Sequence, residues 1–180
     1  AASRSLNRAA SACAGCWKRA AVRPVQKGPP CRPGCGKRGC LEAYVSATGI
    51  KRTVYELMAE ENIESAFRKI PFSKLKPKII TAHAEAGDPI AIKAFEKTGF
   101  LLGRALADTV AHISPAKIFL FGGLAKAGKW IIDPAKKSME AHLLPIYRDK
   151  IDIVPSALLK KNIAVLEISC CFTDCFIEMR

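Results

Sequence analysis

Apolar residues recur every three or four positions along much of the chain after residue 40, and this spacing predicts amphipathic helices. The first predicted helix covers residues 41–61 and is interrupted near Gly49, because glycine is a poor residue for a helix interior. A second predicted helix covers residues 73–86. Both helices carry one apolar face, which indicates that they pack against a shared core.

The longest predicted helix begins at the Asp88-Pro89 pair, because aspartate is a favoured N-cap and proline a favoured first helical residue. The apolar spacing continues until Pro115, which is expected to end the helix at the residue before it. Gly99 and Gly103 lie four residues apart on this helix. They predict a packing site at which another element approaches the helix backbone closely.

Short apolar runs follow this helix and predict strands. Residues 117–121 form a candidate buried strand, which the two glycines at residues 122–123 end. A further helix is predicted from about residue 124, with a break or restart at the Asp-Pro pair of residues 133–134, and a short strand is predicted at residues 151–154. The alternation of helices and strands predicts an α/β layer architecture.

The first 34 residues have a different composition. They are rich in alanine, arginine, serine, glycine and proline, with almost no isoleucine, leucine or phenylalanine. Such a segment buries too little apolar surface to offset the entropy lost on ordering, so we expect residues 1–34 to be irregular. A chain of 180 residues fits one domain. We expect that domain at residues 35–166, followed by an atypical tail at residues 167–180.

The net charge of +13 is unevenly distributed, because the first 40 residues contain nine basic side chains and no acidic one. A uniformly basic protein would suggest nucleic-acid binding, but here the excess lies in one segment rich in alanine, arginine and proline, so nucleic-acid binding is not the favoured function. No apolar run reaches the roughly 20 residues that a membrane helix needs. The chain starts without the apolar stretch of a signal peptide, so a cytoplasmic location is expected.

Eight cysteines in a chain of this kind favour metal binding or free thiols over disulfides. Cys31, Cys35 and Cys40 surround a glycine-bracketed basic turn, so their thiolates could converge on one zinc ion. A structural zinc site needs four ligands, and Cys13 or Cys16 is a candidate for the fourth. Three free thiols in a loop and a zinc ribbon that includes Cys13 and Cys16 are the alternatives.

The sequence CGKRGCLE at residues 35–42 is the most specific motif of the chain. It resembles the ROK family (repressor, open reading frame, kinase), whose zinc motif runs Cys-x-Cys-Gly-x-x-Gly-Cys-x-Glu, in all but the leading cysteine. The likeness covers residues 35–166 and includes four further segments: residues 43–46, 118–124, 133–134 and 162–166.

The resemblance implies an actin-like, hexokinase-type (ribonuclease H-like) fold, of which this chain would supply mainly the C-terminal domain. It implies a cysteine zinc knuckle, for which Cys31 would substitute for the missing leading cysteine beside Cys35 and Cys40. It also implies glucokinase-like, ATP-dependent phosphorylation of a hexose hydroxyl, with Mg²⁺ on the nucleotide. A homodimer is common in the family.

The same resemblance assigns roles to individual residues. Glu42 would accept hydrogen bonds from sugar hydroxyls, a task that suits a carboxylate because it accepts two donors in fixed directions. Judged without the resemblance, Glu42 is an exposed first-turn glutamate favoured by the helix dipole. Gly122, Gly123 and Leu124 would border ATP, because a strand that ends in glycines lets a nucleotide lie against bare backbone.

Three family features are missing before Cys31. These are the Asn-Asp motif that supplies the catalytic base, the N-terminal glycine turn that binds phosphate, and the Glu-x-Gly-His motif that supplies a sugar-binding glutamate and a zinc-binding histidine. We therefore expect a sugar kinase by family whose activity is impaired in this chain. We also expect residues 1–34 and those after Leu166 to be foreign to the family, through an out-of-frame reading or a wrong gene boundary.

Two other function classes stay open. A ROK-type repressor would bind sugar as an inducer and carry a helix-turn-helix before the kinase-like part, and no such helix pair precedes Cys31. A zinc-stabilised basic module would bind nucleic acid through residues 1–40, with a steep dependence on salt. His83, His112 and His142 are each predicted to be structural, because they lie within apolar helical patterns.

Overall fold

A computed structural model describes residues 28–31, 37–61 and 63–155, together with the backbone of residues 175–179. The predicted irregular segment before residue 28 and the residue Cys35 lie outside this range. Within it we find five α-helices, three β-strands and three 3-10 turns. The helices are α1 (Leu41–Tyr44), α2 (Ala47–Glu61), α3 (Pro77–Glu85), α4 (Pro89–Ile113) and α5 (Lys129–His142), the strands are β1 (Pro115–Leu120), β2 (Asp152–Pro155) and β3 (Cys175–Met179), and the turns are Ala66–Lys69, Ala125–Ala127 and Pro145–Tyr147.

β1 is the central strand of a three-stranded sheet with the order β2-β1-β3. β2 runs parallel to β1 and places Ile153 opposite Ile118, whereas β3 runs antiparallel to β1. Parallel strands need a crossover connection, and α5 provides it here. Ile118 is fully buried, so the central strand lies in the core. The α/β architecture is therefore confirmed, and β1 and β2 lie within two residues of the predicted strands.

Helix α4 is the element against which the other helices pack, since α1, α2, α3 and α5 all contact it. Its N-terminus is capped by the Asp88 carboxylate, whose Oδ1 accepts hydrogen bonds from the amides of Ile90 (2.9 Å) and Ala91 (3.4 Å). It ends at Ser114, which has a left-handed backbone conformation (φ 45°) before Pro115. Both predicted ends are confirmed.

Although α4 has 25 residues, none of the helices in the described part of the chain is long and apolar enough to cross a membrane.

Gly99 and Gly103 are where α5 packs against α4, as their spacing predicts. A β-carbon placed on Gly103 would lie 2.3 Å from the carbonyl oxygen of Ala135 and 2.7 Å from the amide nitrogen of Met139. A β-carbon on Gly99 would lie 2.7 Å from Cβ of Pro134. The two helix backbones therefore approach each other more closely than any side chain at these positions would allow.

The start of α5 corrects the sequence prediction. The chain forms the 3-10 turn Ala125–Ala127 after the glycine pair, and α5 begins only at Lys129. Gly128, with φ 58°, separates the two, and its carbonyl accepts the first helical hydrogen bonds. The predicted break at Asp133-Pro134 is wrong, because Pro134 removes only one helical N–H and packs against Gly99, which leaves space for its ring.

The predicted helix at residues 41–61 is also interrupted at a different place. It divides at Val45-Ser46 into α1 and α2 instead of near Gly49. The Ser46 hydroxyl accepts a hydrogen bond from the Gly49 amide (3.0 Å), so serine caps the first turn of α2. Gly49 itself is helical and buried.

Candidate functional site

Two short segments pair with each other at the two ends of the loop that precedes α1. The Gly39 amide donates to the Pro29 carbonyl (3.0 Å) and the Cys31 amide donates to the Lys37 carbonyl (2.9 Å), which pairs the segments in antiparallel fashion. The Arg38 guanidinium adds a hydrogen bond to the carbonyl of Gly28 (2.9 Å). We call this paired structure, residues 28–31 and 37–39, the clasp. It brings the two ends of the cysteine-containing loop together.

The structure describes two of the three predicted zinc ligands, Cys31 and Cys40. Cys31 is half-buried within the clasp, and Cys40 is buried directly after it, at the N-cap of α1. Cys35 lies in the loop outside the described residues. Within residues 28–31, 37–61 and 63–155, no group of three or more histidine, cysteine, aspartate or glutamate side chains could hold a metal ion. Two thiols do not complete a tetrahedral zinc site, so the knuckle stays a prediction.

Glu42 lies in the first turn of α1, where it is half-buried between the buried residues Leu41 and Ala43. These two apolar neighbours fix the orientation of α1, which packs against both α2 and α4. The carboxylate is therefore carried by a helix whose position is set by the core, although that helix has only four residues.

The glycine turn follows the central strand. Gly122 has φ 103°, a conformation that strongly favours glycine, and Gly123 is exposed. Among the described residues, no atom apart from those of its two chain neighbours lies within 4 Å of a β-carbon placed on Gly123. The Leu124 side chain is only 5% exposed and belongs to the core. This turn is a piece of bare backbone that faces open space at the carboxyl end of β1. Ligands of α/β sheets bind at this edge.

Positive charge lies next to the turn. Lys126 and Lys129 are both exposed, and the Lys129 ammonium lies 5.2 Å from the centre of the Trp130 ring.

Glu42 and the glycine turn belong to separate segments that share α4 as support: α1 packs against this helix, and β1 continues from its C-terminal end. The helix start predicted at about residue 124 leaves Gly128 out of account, although a glycine directly before a helical pattern is a boundary signal.

The three histidines make local contacts, and their structural role stays a prediction. The His83 ring packs against Phe67, with ring centres 4.5 Å apart. His112 and His142 each bring Nδ1 to the carbonyl oxygen four residues earlier, at Asp108 (2.6 Å) and Ser138 (2.7 Å). These contacts hold each ring against its own helix.

Comparison with solved structures identifies the class of fold. A ROK family glucokinase from Streptomyces griseus, solved in complex with glucose and AMPPNP, matches 76% of this chain and 45% of that protein with a TM-score of 0.65 and 27% sequence identity. A ROK family transcriptional regulator, a homolog of the E. coli MLC protein, matches 74% of this chain with a TM-score of 0.63 and 25% identity, over 33% of that protein. The fold is the actin-like, hexokinase-type α/β fold.

Sequence comparison identifies the family. The model of the ROK family matches residues 19–165, so the chain belongs to the ROK family. The glucokinase of Halalkalibacterium halodurans is 36% identical over 123 residues, which are 68% of this chain and 37% of that enzyme. The glucokinase of Thermotoga maritima is 30% identical over 135 residues, which are 74% of this chain and 42% of that enzyme.

The chain thus spans less than half the length of these two glucokinases. The match to the family begins at residue 19, upstream of residue 35, where the likeness of motifs begins. It ends at residue 165, next to the boundary expected after residue 166. The division into a segment at 1–34, a domain at 35–166 and a tail at 167–180 stays a prediction.

Proposed function

We propose that this chain forms the sugar-orienting and nucleotide-seating part of an ATP-dependent hexose kinase of the glucokinase type. The observation that carries the proposal is the open, side-chain-free backbone at Gly123, at the carboxyl end of the central strand. The similarity to glucokinases, one of them solved with glucose and AMPPNP, supports it. The open backbone is the kind of surface that a nucleotide needs, because any side chain at this position would occupy the same space.

Each named residue has one task in this proposal. The Glu42 carboxylate accepts hydrogen bonds from hexose hydroxyls and so orients the sugar. Gly122, Gly123 and the backbone of Leu124 border the ATP, whose Mg²⁺ is held by the phosphates. A hexose is the substrate, and the assembly is a homodimer. The zinc knuckle of Cys31, Cys35 and Cys40 holds the start of α1.

The catalytic base has no candidate among these residues. Phosphoryl transfer needs positioning, charge stabilisation and a base for the attacking hydroxyl. The Asn-Asp motif that would supply this base does not occur before Cys31. A base contributes about 10²- to 10⁴-fold to the rate. A polypeptide of these 180 residues should therefore bind the two substrates and turn them over very slowly.

A repressor is the second candidate function, because the solved ROK family regulator is similar to this chain over 74% of its length. The two candidates differ in what they bind. An inducer-binding repressor needs the sugar contact at Glu42 and has no use for the bare glycine turn. Nucleotide binding therefore discriminates between them.

Substituting Gly123 by valine tests the proposal. In the part of the chain that the structure describes, nothing beyond the chain neighbours lies within 4 Å of a β-carbon at this position, so the melting temperature should stay unchanged. The isopropyl group occupies the space proposed for the nucleotide, so the affinity for Mg·AMPPNP, measured by titration calorimetry, should fall by at least about tenfold, which corresponds to about 1.4 kcal/mol.

Ala59→Val is the matched control, since it adds a branched side chain on the exposed face of α2 and should leave nucleotide affinity unchanged. Binding of AMPPNP with equal affinity by Gly123→Val, or no binding by the unmodified chain, would contradict the proposed nucleotide site.

A further inference from the structure

Glu42 lies on a helix that cannot hold its own position. α1 has four residues, about one turn, and a single turn is unstable in isolation because its nucleation is unfavourable. The position of the Glu42 carboxylate therefore depends on the core, against which Leu41 and Ala43 pack, and on what contacts α1 at its two ends. At the N-terminal end this is the clasp, and at the C-terminal end it is the first turn of α2.

The contact at the C-terminal end is unusually close. A β-carbon placed on Gly49 would lie 2.1 Å from the carbonyl oxygen of Tyr44, 2.3 Å from its carbonyl carbon and 2.8 Å from its Cα. All three are backbone atoms, which cannot turn aside as a flexible side chain does. The last residue of α1 thus lies directly on the bare Cα of Gly49.

Gly49 is itself held on both sides. Its amide donates to the Ser46 hydroxyl (3.0 Å), and its carbonyl accepts a hydrogen bond from the buried Thr53 hydroxyl (3.3 Å). The next residues on the buried face of α2, Ile50 and Val54, are fully buried in the core. A side chain at Gly49 would therefore displace Tyr44 and α1 before it displaced α2.

A displacement of Tyr44 by a side chain at position 49 would also disturb the N-terminal end of α1. Its hydroxyl oxygen reaches the clasp, where it would lie 2.8 Å from a β-carbon placed on Gly28. The same β-carbon would lie 2.9 Å from Cα of Gly39. The Tyr44 side chain and the two segments of the clasp are therefore in close van der Waals contact. Tyr44 thus connects Gly49 to the clasp, and Glu42 belongs to the same four-residue helix as Tyr44.

From these contacts we infer that Gly49 is a positioning residue for the sugar contact of Glu42, and that it acts through Tyr44. The inference rests on the proposed function, since it presupposes that Glu42 binds the sugar. The close contact of Gly49 with Tyr44 fixes the position of the C-terminal end of α1, and so fixes the Glu42 carboxylate relative to the core. The glycine turn at Gly122 follows strand β1, whereas Glu42 and Gly49 belong to helices α1 and α2. The inference therefore predicts that a change at Gly49 affects sugar affinity and leaves nucleotide affinity unchanged.

The test compares Gly49→Ala with Gly99→Ala in the full 180-residue chain. Both changes replace a helical glycine by alanine against a close neighbour, but Gly99 faces α5 instead of α1. Glucose and Mg·AMPPNP affinities are measured by titration calorimetry for each variant. We expect Gly49→Ala to weaken glucose binding by about 10- to 100-fold, because displacing the carboxylate removes a hydrogen bond to a charged group, which lowers an affinity by about this factor. Its AMPPNP affinity should stay within about twofold, and Gly99→Ala should change neither affinity by more than that.

Ser46→Ala provides a second variant that adds no volume and keeps the fold. It removes the acceptor of the Gly49 amide and should weaken glucose binding by about threefold with AMPPNP binding unchanged. In NMR spectra, amide signals of residues 41–46 should shift in both Gly49→Ala and Ser46→Ala, while those of β1 should not.

The outcomes separate the two proposals. If the unmodified chain binds no glucose, the sugar role of Glu42 is wrong, and the inference is overturned with it. If the unmodified chain binds glucose and Gly49→Ala binds it equally well, only the inference is overturned. A parallel loss of glucose and AMPPNP affinity in Gly49→Ala would mean a general structural role for Gly49 and would also overturn it.

Discussion

Replacing Gly103 by alanine is expected to lower the free energy of unfolding by about 3 kcal/mol, the upper part of the usual range for overpacking a well-packed core. The new methyl group would lie 2.3 Å from the Ala135 carbonyl oxygen, 2.6 Å from Cβ of Ser138 and 2.7 Å from the Met139 amide. Two of these are backbone atoms of α5, so α5 has to move away from α4. Urea denaturation followed by circular dichroism measures the change.

Two other glycines make this prediction specific. Gly123→Ala should change stability by no more than about 0.5 kcal/mol, since its methyl group meets no atom of a non-adjacent described residue within 4 Å. Gly99→Ala should lie between the two, because its nearest neighbour is the side chain of Pro134 and not backbone. Equal stability of Gly103→Ala and the unmodified chain would show that α4 and α5 are not packed as described.

Replacing Glu42 by glutamine is expected to weaken glucose binding by about 10- to 100-fold, because a hydrogen bond to a charged group contributes about 1.5–3 kcal/mol. Glutamine keeps the size of the side chain and one acceptor oxygen, and loses the charge. The affinity for Mg·AMPPNP should not change, since the nucleotide is proposed to lie at the glycine turn. Titration calorimetry with each ligand separates the two effects.

Glu64→Gln is the matched control for this change. Glu64 is exposed and precedes the 3-10 turn Ala66–Lys69, so its neutralisation should leave both affinities unaltered. Unchanged glucose affinity in Glu42→Gln would leave Glu42 as the first-turn glutamate that the helix dipole alone explains.

Helix α4 could be predicted from the sequence because its signals are local. Asp88 and Pro89 mark its start, Pro115 marks its end, and the spacing of Gly99 and Gly103 marks the face on which α5 packs. Each of these signals acts within a few residues of the chain or along one helix. Tertiary packing reinforces them and does not override them.

The start of α5 could not be predicted in the same way because two local signals compete. Pro134 disfavours the helix interior, and Gly128 is compatible with a boundary. The structure resolves the competition through a tertiary contact, since Gly99 of α4 leaves space for the proline ring. That contact joins residues far apart in the sequence, and the pattern of residues 124–144 does not contain it.

The candidate site shows the same division between local and tertiary information. The motif at residues 35–42 and the glycine pair at residues 122–123 are local, so the sequence is enough to propose Glu42 as a sugar contact and the glycine pair as a nucleotide contact. The contact between Gly49 and Tyr44 depends on the angle at which α1 meets α2, which no local spacing specifies. The local pattern consequently predicts Gly49 as a helix interruption and not as a packing residue.

A crystal structure of the 180-residue chain with glucose and Mg·AMPPNP tests the central claim most directly. We predict a sugar hydroxyl within hydrogen-bonding distance of the Glu42 carboxylate, about 2.7 Å between oxygens, and the nucleotide against the backbone of Gly122 and Gly123. A glucose molecule bound away from Glu42, or a nucleotide bound away from the glycine turn, would contradict it.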